Sequence, residues 1–381
     1  MVPDPRCQQL GRGQGVLDDR IAWVKQHSDD IMAVYEDPIE NMWWAEADRP
    51  WEFLAWALEY GDWVTDGLLH ESSLAVGMDG SNNGLQIYSL LLRDPVCAKA
   101  TNCVPVDQPS DIYQDVADLV HAEMLKVTEG DGAIWKRCFP DGLSRKAVKR
   151  PVMTYAYGVS KYSSSHYVRE WLREQRPRLP MYDEIRRDDL YWLYDCVWDK
   201  IQLVVSSAKA CMDWLQECAH IFNKAGQEIT WVSPSDFPVM PKYPKRRQKT
   251  IKLRTRGNVH VMKWREDSPG MDPRRHTNSI APNWVHSLDA AALVGTVEIC
   301  RVEGVSHLQM IHDSFATHAA DAPVLARSLR QAYIELFTPD LLNDMLRQMQ
   351  AQAPAGVKLP EPPRRGELEV AGLSEADYFF A

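Results

Sequence analysis

Residues Leu308–Phe315 read LQMIHDSF, an apolar run that looks like a buried strand but is interrupted by His312 and Asp313. A charge in a protein interior is expensive unless it is paired or bound to a metal. Any fold this chain adopts must therefore supply Asp313 with a partner. A counterpart lies far upstream in SLAVGMDGS, where Leu74, Val76 and Met78 alternate as in a half-buried strand and Asp79 arrives at its end. The small polar turn GSNNG that follows leaves open space. If the two strands pair side by side, the carboxylates lie close together, and one is pushed towards protonation unless a cation sits between them. Mg²⁺ takes oxygen ligands, often one or two carboxylates together with substrate phosphates. Two such ions ~3.5–4 Å apart clamp the attacking and leaving oxygens of a phosphoryl transfer. Taken alone, the two aspartates also fit a plainer reading, in which each caps a turn.

A second segment bears on that choice. In RKAVKRPVMTYAYG, Arg145, Lys149, Met153 and Tyr157 recur at four-residue spacing, so one helix face carries two cations, an apolar residue and an aromatic ring. Arg offers phosphate a bidentate fork and Lys a point charge. Cations at one end could hold a triphosphate while Tyr157 lies against a base and Gly158 ends the helix. Read in isolation, the same segment is an ordinary basic amphipathic helix.

The net charge of −10 argues against a polyanionic partner, but the basic residues are clustered. From Pro241 to Arg265 there are ten Lys or Arg residues and no Asp or Glu, and RKAVKR spans Arg145–Arg150. Local fields of this kind attract polyanions whatever the total charge. With 381 residues, 45% hydrophobic and 25% charged, the composition is that of a globular protein with a substantial core. No apolar window approaches the ~18 residues of a membrane helix, and the first residues lack the apolar core of a secretion signal. Eight cysteines without a CxxC pair suggest reduced thiols in a cytoplasmic setting.

Along the chain, residues 1–16 read as flexible and Ile21, Val24, Ile31 and Val34 as a helical stripe. WEFLAWALEYG reads as a helix started by Pro50 and stopped at Gly61. A mostly helical region spans about 110–225, and strands 229–232 and 250–261 surround a basic hairpin. Helices over 284–302 and 322–350 flank the LQMIHDSF strand, and the Pro-rich APAGVKLPEPPRRG reads as a linker or loop.

The stretches ENMWWAEADRPWEFLAWALEYG, DGSNNGLQIYSLLLRDP, RKAVKRPVMTYAYG, WVSPSDFPV, SIAPNWVHSLDAA, MIHDSF and YFFA occur in that order. In these, from about Leu17 to Ala381, the chain resembles the single-subunit RNA polymerases of bacteriophages and mitochondria. The resemblance implies an α+β, predominantly helical right-hand fold: palm and fingers with a small antiparallel palm sheet, and no N-terminal domain or thumb. Residues 1–107 would be the first part of the palm, 108–286 the fingers with a nucleotide helix at 145–158 and a basic specificity-type hairpin at 236–268, and 287–381 the second palm part with a C-terminal foot.

By the same resemblance, Asp79 and Asp313 hold two catalytic Mg²⁺ ions and the Gly80 carbonyl adds a ligand. Arg145 and Lys149 grip the triphosphate, Lys149 also serving the pyrophosphate leaving group, and Arg150, Met153 and Gly158 belong to the same substrate-binding helix. Tyr157 stacks at the insertion site and takes part in sugar selection, and His286 helps select ribose. His312 buttresses Asp313 and takes no acid–base role. The reaction implied is attack by an RNA 3′-hydroxyl on the α-phosphate of a ribonucleoside triphosphate, with a DNA template, an RNA product and release of pyrophosphate.

The related DNA polymerase family is the alternative. It carries Glu, which crowds a ribose 2′-hydroxyl, five residues after the first palm aspartate and usually Glu after the HD of the last motif. Here those positions are Gly84, with no side chain to obstruct the hydroxyl of a bound ribonucleotide, and Ser314, and both point to RNA synthesis. A catalytically inactive, nucleic-acid-binding relic is a third reading, but Asp79, Arg145, Lys149, Tyr157 and Asp313 are all retained. Family members are more than twice as long, and no DxxGR-type motif precedes Asp79. Because the chain starts with Met1 and carries the family's C-terminal tail, the expectation is the large catalytic subunit of a split phage polymerase, placed in the cytoplasm of a bacterial host. A second protein chain would supply the thumb, the N-terminal region and the missing arginine; a truncated polypeptide is the competing explanation. Lys245, Arg246, Arg247, Lys249, Lys252, Arg254 and Arg256 are the candidate nucleic-acid contacts, as a promoter-reading loop or as a non-specific phosphate-binding ribbon. SEADYFFA would fold back near the active site. Pro151 implies that the fingers helix either starts near Val148 or bends.

Overall fold

A computed structural model describes residues 16–67, 70–179 and 181–380. The flexible opening expected at 1–16 therefore lies outside the described residues, apart from Val16. The chain is predominantly helical with small antiparallel sheets. It begins with α1 (Leu17–Gln26) and α2 (Ser28–Glu36), which break at His27 instead of forming one helix, and α3 (Pro50–Asp66). Then come β1 (Ala75–Asp79), α4 (Asn83–Leu92), α5 (Pro95–Ala100), α6 (Ile112–Lys126) and the short α7 (Trp135–Cys138). Helices α8 (Arg145–Tyr155), α9 (Lys161–Gln175), α10 (Arg187–Val204) and α11 (Ser206–Lys224) complete the helical middle.

Two hairpins follow where one was expected. The small one pairs β2 (Trp231–Val232) with β3 (Pro238–Val239), and the long one pairs β4 (Pro244–Thr255) with β5 (Asn258–Met271). The basic run is thus itself a strand, and the turn falls at Arg256–Gly257. Both turn residues have positive φ (50° and 84°), the requirement of a tight two-residue hairpin turn. Helix α12 (Pro273–Val302) starts eleven residues before the expected 284, because Asp272 caps it by accepting from the backbone N–H of Arg274 and Arg275. Strands β6 (Leu308–Ile311) and β7 (Ser314–His318) precede α13 (Ala322–Phe337) and α14 (Leu341–Gln352). The last two were expected as one helix; Pro339 and the Asp340 cap separate them.

Gly61 is no stop. Helix α3 runs through it to Asp66, and a Cβ there would lie 2.0 Å from the Tyr35 ring, so glycine is needed for α2 to meet α3. These helices enclose a small core of Ile31, Val34, Trp44, Phe53 and Ala57. The main core is separate and centres on α4, all ten of whose residues are buried. The irregular Pro-rich strap does not hang free: Trp214 Nε1 donates to the Pro360 carbonyl at 2.9 Å, and the Gly366 N–H donates to the Leu92 carbonyl at 2.7 Å.

Candidate active site

The site is built on a three-stranded antiparallel sheet of order β1-β7-β6. The pairing register buries Val76, Phe315, Ala316 and Thr317, whereas β6, expected as a buried strand, is half-buried to exposed, with Ile311 turned to solvent. In that register Asp79 stands opposite Ser314, and Ile311 pairs with Ser314 from the other side. His312 and Asp313 are therefore the two residues of a hairpin turn, with His312 at φ 55°. A non-glycine residue in that conformation stores strain, and here it puts Asp313 beside the end of β1. His312 makes no hydrogen bond to Asp313 among the described residues, so its support for Asp313 is the turn itself.

Asp79 is reachable by solvent, yet enough protein surrounds it to disfavour its charge. Burial, then the negative charge of Asp313, push its carboxyl up to about 6. The Gly80 N–H, Lys149 and Arg49 pull in the other direction. Two carboxylates that repel across a sheet edge, with the backbone of Gly80 next to them, form a set of hard oxygen donors that suits Mg²⁺. Among the described residues no cluster of three or more His, Cys, Asp or Glu side chains that could hold a metal ion exists. The Gly80 backbone also bridges Phe380, and the Gln86 amide donates to the Phe379 carbonyl at 2.8 Å. Phe380 packs on Phe315 and Tyr333. The tail thus does return to the Asp79 loop, although Ala381 lies outside the described residues.

Helix α8 begins at Arg145, with Ser144 as its cap, and passes through Pro151 without starting late. Basic residues in its first turns oppose the helix dipole; together with the free N–H groups they make an anion-attracting end. Lys149 is exposed there, and its charge is felt at Asp79. Arg145 is already held: its Nε lies 2.8 Å from Asp111 Oδ2, and its guanidinium sits 5.2 Å from the Tyr113 ring centre. Arg150 faces elsewhere, pairing with Glu170 at 2.8 Å over the Tyr167 ring, and Met153 is exposed. The helix ends at Tyr155, so Tyr157 is not its fourth stripe residue. The turn at Gly158 (φ 73°) brings the ring round instead.

Tyr157 stacks on His286, with ring centres 4.7 Å apart and planes 5° from parallel. His286 is exposed rather than a buried structural histidine. Burial pushes the Tyr157 phenol up, and its oxygen would lie 3.2 Å from a Cβ at Gly84. Gly84 is the third wall: a Cβ there would lie 2.7 Å from Ala156 Cβ and 3.1 Å from Tyr157 Cζ. The glycine read as open space for a ribose hydroxyl is filled on that side by the segment after α8.

Sequence reasoning did not single out Asp289 and Asn83. Asp289 is buried on α12 and accepts from Asn83 Nδ2 at 2.7 Å, across 206 residues. Nothing in SLDAA distinguishes that aspartate from a solvated one.

The β4–β5 ribbon is exposed along nearly all of its length. Its register, Lys245↔Ser268 to Thr255↔Asn258, assigns the faces, because opposed residues share a face and neighbours alternate. Arg246, Lys252 and Arg254 share one face with Lys263 and Arg265. Lys245, Arg247 and Lys249 share the other with Ile251, Leu253, Met262 and Trp264. The ion pairs agree, Arg246 with Asp267 on the first face and Lys249 with Glu266 on the second. Arg256 is in the turn. Six of the seven candidate cations are therefore split between two faces, and Lys263 and Arg265 join the more basic one.

No helix among the described residues is long and apolar enough to cross a membrane. The family model for DNA-dependent RNA polymerase matches residues 8–356. DNA-directed RNA polymerase 3, chloroplastic, of Nicotiana sylvestris is 31% identical over 95% of this chain and 37% of its own length. The DNA-directed RNA polymerase of Enterobacteria phage T3 is 31% identical over 95% of this chain and 46% of its own. For DNA-directed RNA polymerase 1, mitochondrial, of Arabidopsis thaliana the values are 30%, 95% and 37%. The chain spans less than half the length of these curated relatives.

Proposed function

Because this chain belongs to the DNA-dependent RNA polymerase family, we propose that it is the catalytic portion of a DNA-directed RNA polymerase, joining ribonucleotides to an RNA 3′ end on a DNA template. The observation that carries this reading is the placement of Asp79 opposite Ser314, next to Asp313, within the electrostatic reach of Lys149. Residues 1–107 and 287–381 form the palm of this reading, and 108–286 the fingers.

Asp79 and Asp313 are the residues that would hold two Mg²⁺ ions, with the Gly80 carbonyl beside them. When bound, such ions lower the barrier by neutralising charge on the phosphate and activating the attacking hydroxyl. The chain's own groups orient the reactants. Lys149 and the N-terminal end of α8 attract the triphosphate and stabilise the departing pyrophosphate, and Arg145 joins them by exchanging Asp111 for a phosphate oxygen. Tyr157, backed by His286, offers a flat apolar surface to the incoming base, and Gly84 sets the wall next to it. Work of this kind is positioning and electrostatic stabilisation.

The more basic face of the β4–β5 ribbon would meet duplex DNA. A second polypeptide, or a segment this chain does not contain, would supply the thumb, the N-terminal region and an arginine motif that the longer relatives have room for. The test is RNA-primer extension on a preformed RNA–DNA scaffold with Mg²⁺, with and without candidate partners and with Asp313→Ala as control. Template-directed addition that the substitution abolishes is the expected result. No addition under any of these conditions overturns the reading.

A further inference from the structure

We propose that Asp289 is a positioning residue that fixes the width of the nucleotide-sugar pocket by holding Asn83, and with it Gly84, at a set distance from the Tyr157–His286 pair. This rests on the polymerase reading above and deepens it. Asp289 lies three residues after His286 on α12, so the two occupy the same side of the helix one turn apart. Only 7% of Asp289 is exposed, and its Oδ1 accepts from Asn83 Nδ2 at 2.7 Å. Asn83 Oδ1 in turn accepts from the Tyr333 hydroxyl at 2.7 Å.

A carboxylate can only accept, which fixes the orientation of the Asn83 amide and obliges Tyr333 to donate. The result is a buried chain, Asp289 to Asn83 to Tyr333, that ties α12 to α4 and α13. Asn83 directly precedes Gly84, where a Cβ would lie 3.1 Å from Tyr157 Cζ, and the loop between Asp79 and Asn83 is only three residues long. One wall of the pocket thus hangs on α4 and the other on α12, and the Asp289–Asn83 bond spans them. Packing alone does not call for a charge here, since neutral replacements of buried ions are often tolerated or stabilising. A charge-assisted bond is shorter and stiffer than a neutral one, which suits a pocket whose selectivity depends on its width.

The test is the ratio of kcat/KM for a ribonucleotide to that for its deoxyribonucleotide in scaffold extension, together with the thermal midpoint of each variant. Asn83→Ala and Asp289→Ala should each reduce the ratio by about tenfold, the usual scale for residues that orient a functional group. The double variant should lose no more than either single one, because both remove the same link. Asp289→Asn, which keeps the accepting oxygen but loses the charge, should fall between the unaltered chain and Asp289→Ala. If Asp289→Ala does not fold, Tyr333→Phe removes one hydroxyl from the same chain and should shift the ratio in the same direction. Folded variants with an unchanged ratio, or losses that multiply in the double variant, overturn the inference while the polymerase reading stands. If the unaltered chain extends with neither nucleotide under any partner condition, that reading falls, and this one with it.

Discussion

Around Asp79 the chain ties its polar groups to distant elements, whereas the β4–β5 ribbon is tied to the body only at its base. Gln86 reaches the tail, Asn83 reaches α12, Tyr333 reaches Asn83, and the Gly80 backbone bridges Phe380. On the ribbon, the anchoring bonds gather at Tyr243: its carbonyl accepts from the Asp272 N–H, its hydroxyl from Asn283, and its ring lies under Arg275. Beyond that point, among the described residues, the strands bond to each other. Chemistry on a phosphate needs groups that do not move when charge develops. Contact with a long, curved polyanion is served by a cationic strip that can follow it. In the function proposed above, the two regions would divide those tasks.

The largest effect should come from the rigid region. Asp79→Ala or Asp313→Ala should slow nucleotide addition by at least about 10³-fold, the upper range for removing one preorganised electrostatic group. The thermal midpoint without metal should hold or rise, because repulsion is relieved. A slow enzyme that is also destabilised would mean that the carboxylates are structural.

Acid should act next. The Asp79 carboxyl lies at about 6 in the folded chain against an ordinary value of 3.8. Its proton is therefore bound more tightly when folded, and the stability it contributes is complete below about pH 4 and lost as pH rises through about 6. Mg²⁺ must displace that proton, so its apparent affinity should fall by about tenfold per pH unit below about 6. Thermal melts with and without Mg²⁺ at pH 5 and 7.5 measure both; a metal-induced shift equal at the two pH values would remove Asp79 as a ligand.

The ribbon should respond by salt dependence instead of rate. Lys252→Ala, Arg254→Ala, Lys263→Ala and Arg265→Ala should each lower the slope of log K against log salt for duplex DNA by about 0.9 per lost phosphate contact. Arg247→Ala and Lys249→Ala, on the opposite face, should leave the slope near its original value. Equal losses from both faces would mean that DNA wraps the ribbon. The smallest effect is expected at Arg150, whose exposed pair with Glu170 should contribute no more than about 1 kcal/mol. Nucleotide KM should not change in Arg150→Ala, and a large rise would return that residue to the substrate site.

Much of the site could be read in advance because its signals are local. Strand alternation ending in Asp79, and an apolar run broken at His312–Asp313, each fit within nine residues. Helix ends were harder. Gly61 and Pro151 usually break helices, but the first is needed for contact with Tyr35 and the second is carried within α8. Partner choice was harder still. Whether Arg150 grips a triphosphate or Glu170, or whether Asp289 is solvated or bound to Asn83, depends on residues brought close only by the completed fold. The ribbon shows the same limit: ten cations between Pro241 and Arg265 carry no sign of which face each will take until the register is set.

The contact of Gly84 with Ala156 has an evolutionary consequence. Any side chain added at 84 meets that methyl group at 2.7 Å before it can approach a sugar. If this position sets the choice between ribose and deoxyribose, as the proposed function has it, substituting it alone would not change that choice. A lineage would first have to withdraw the turn after α8, so the two sites should change together or not at all.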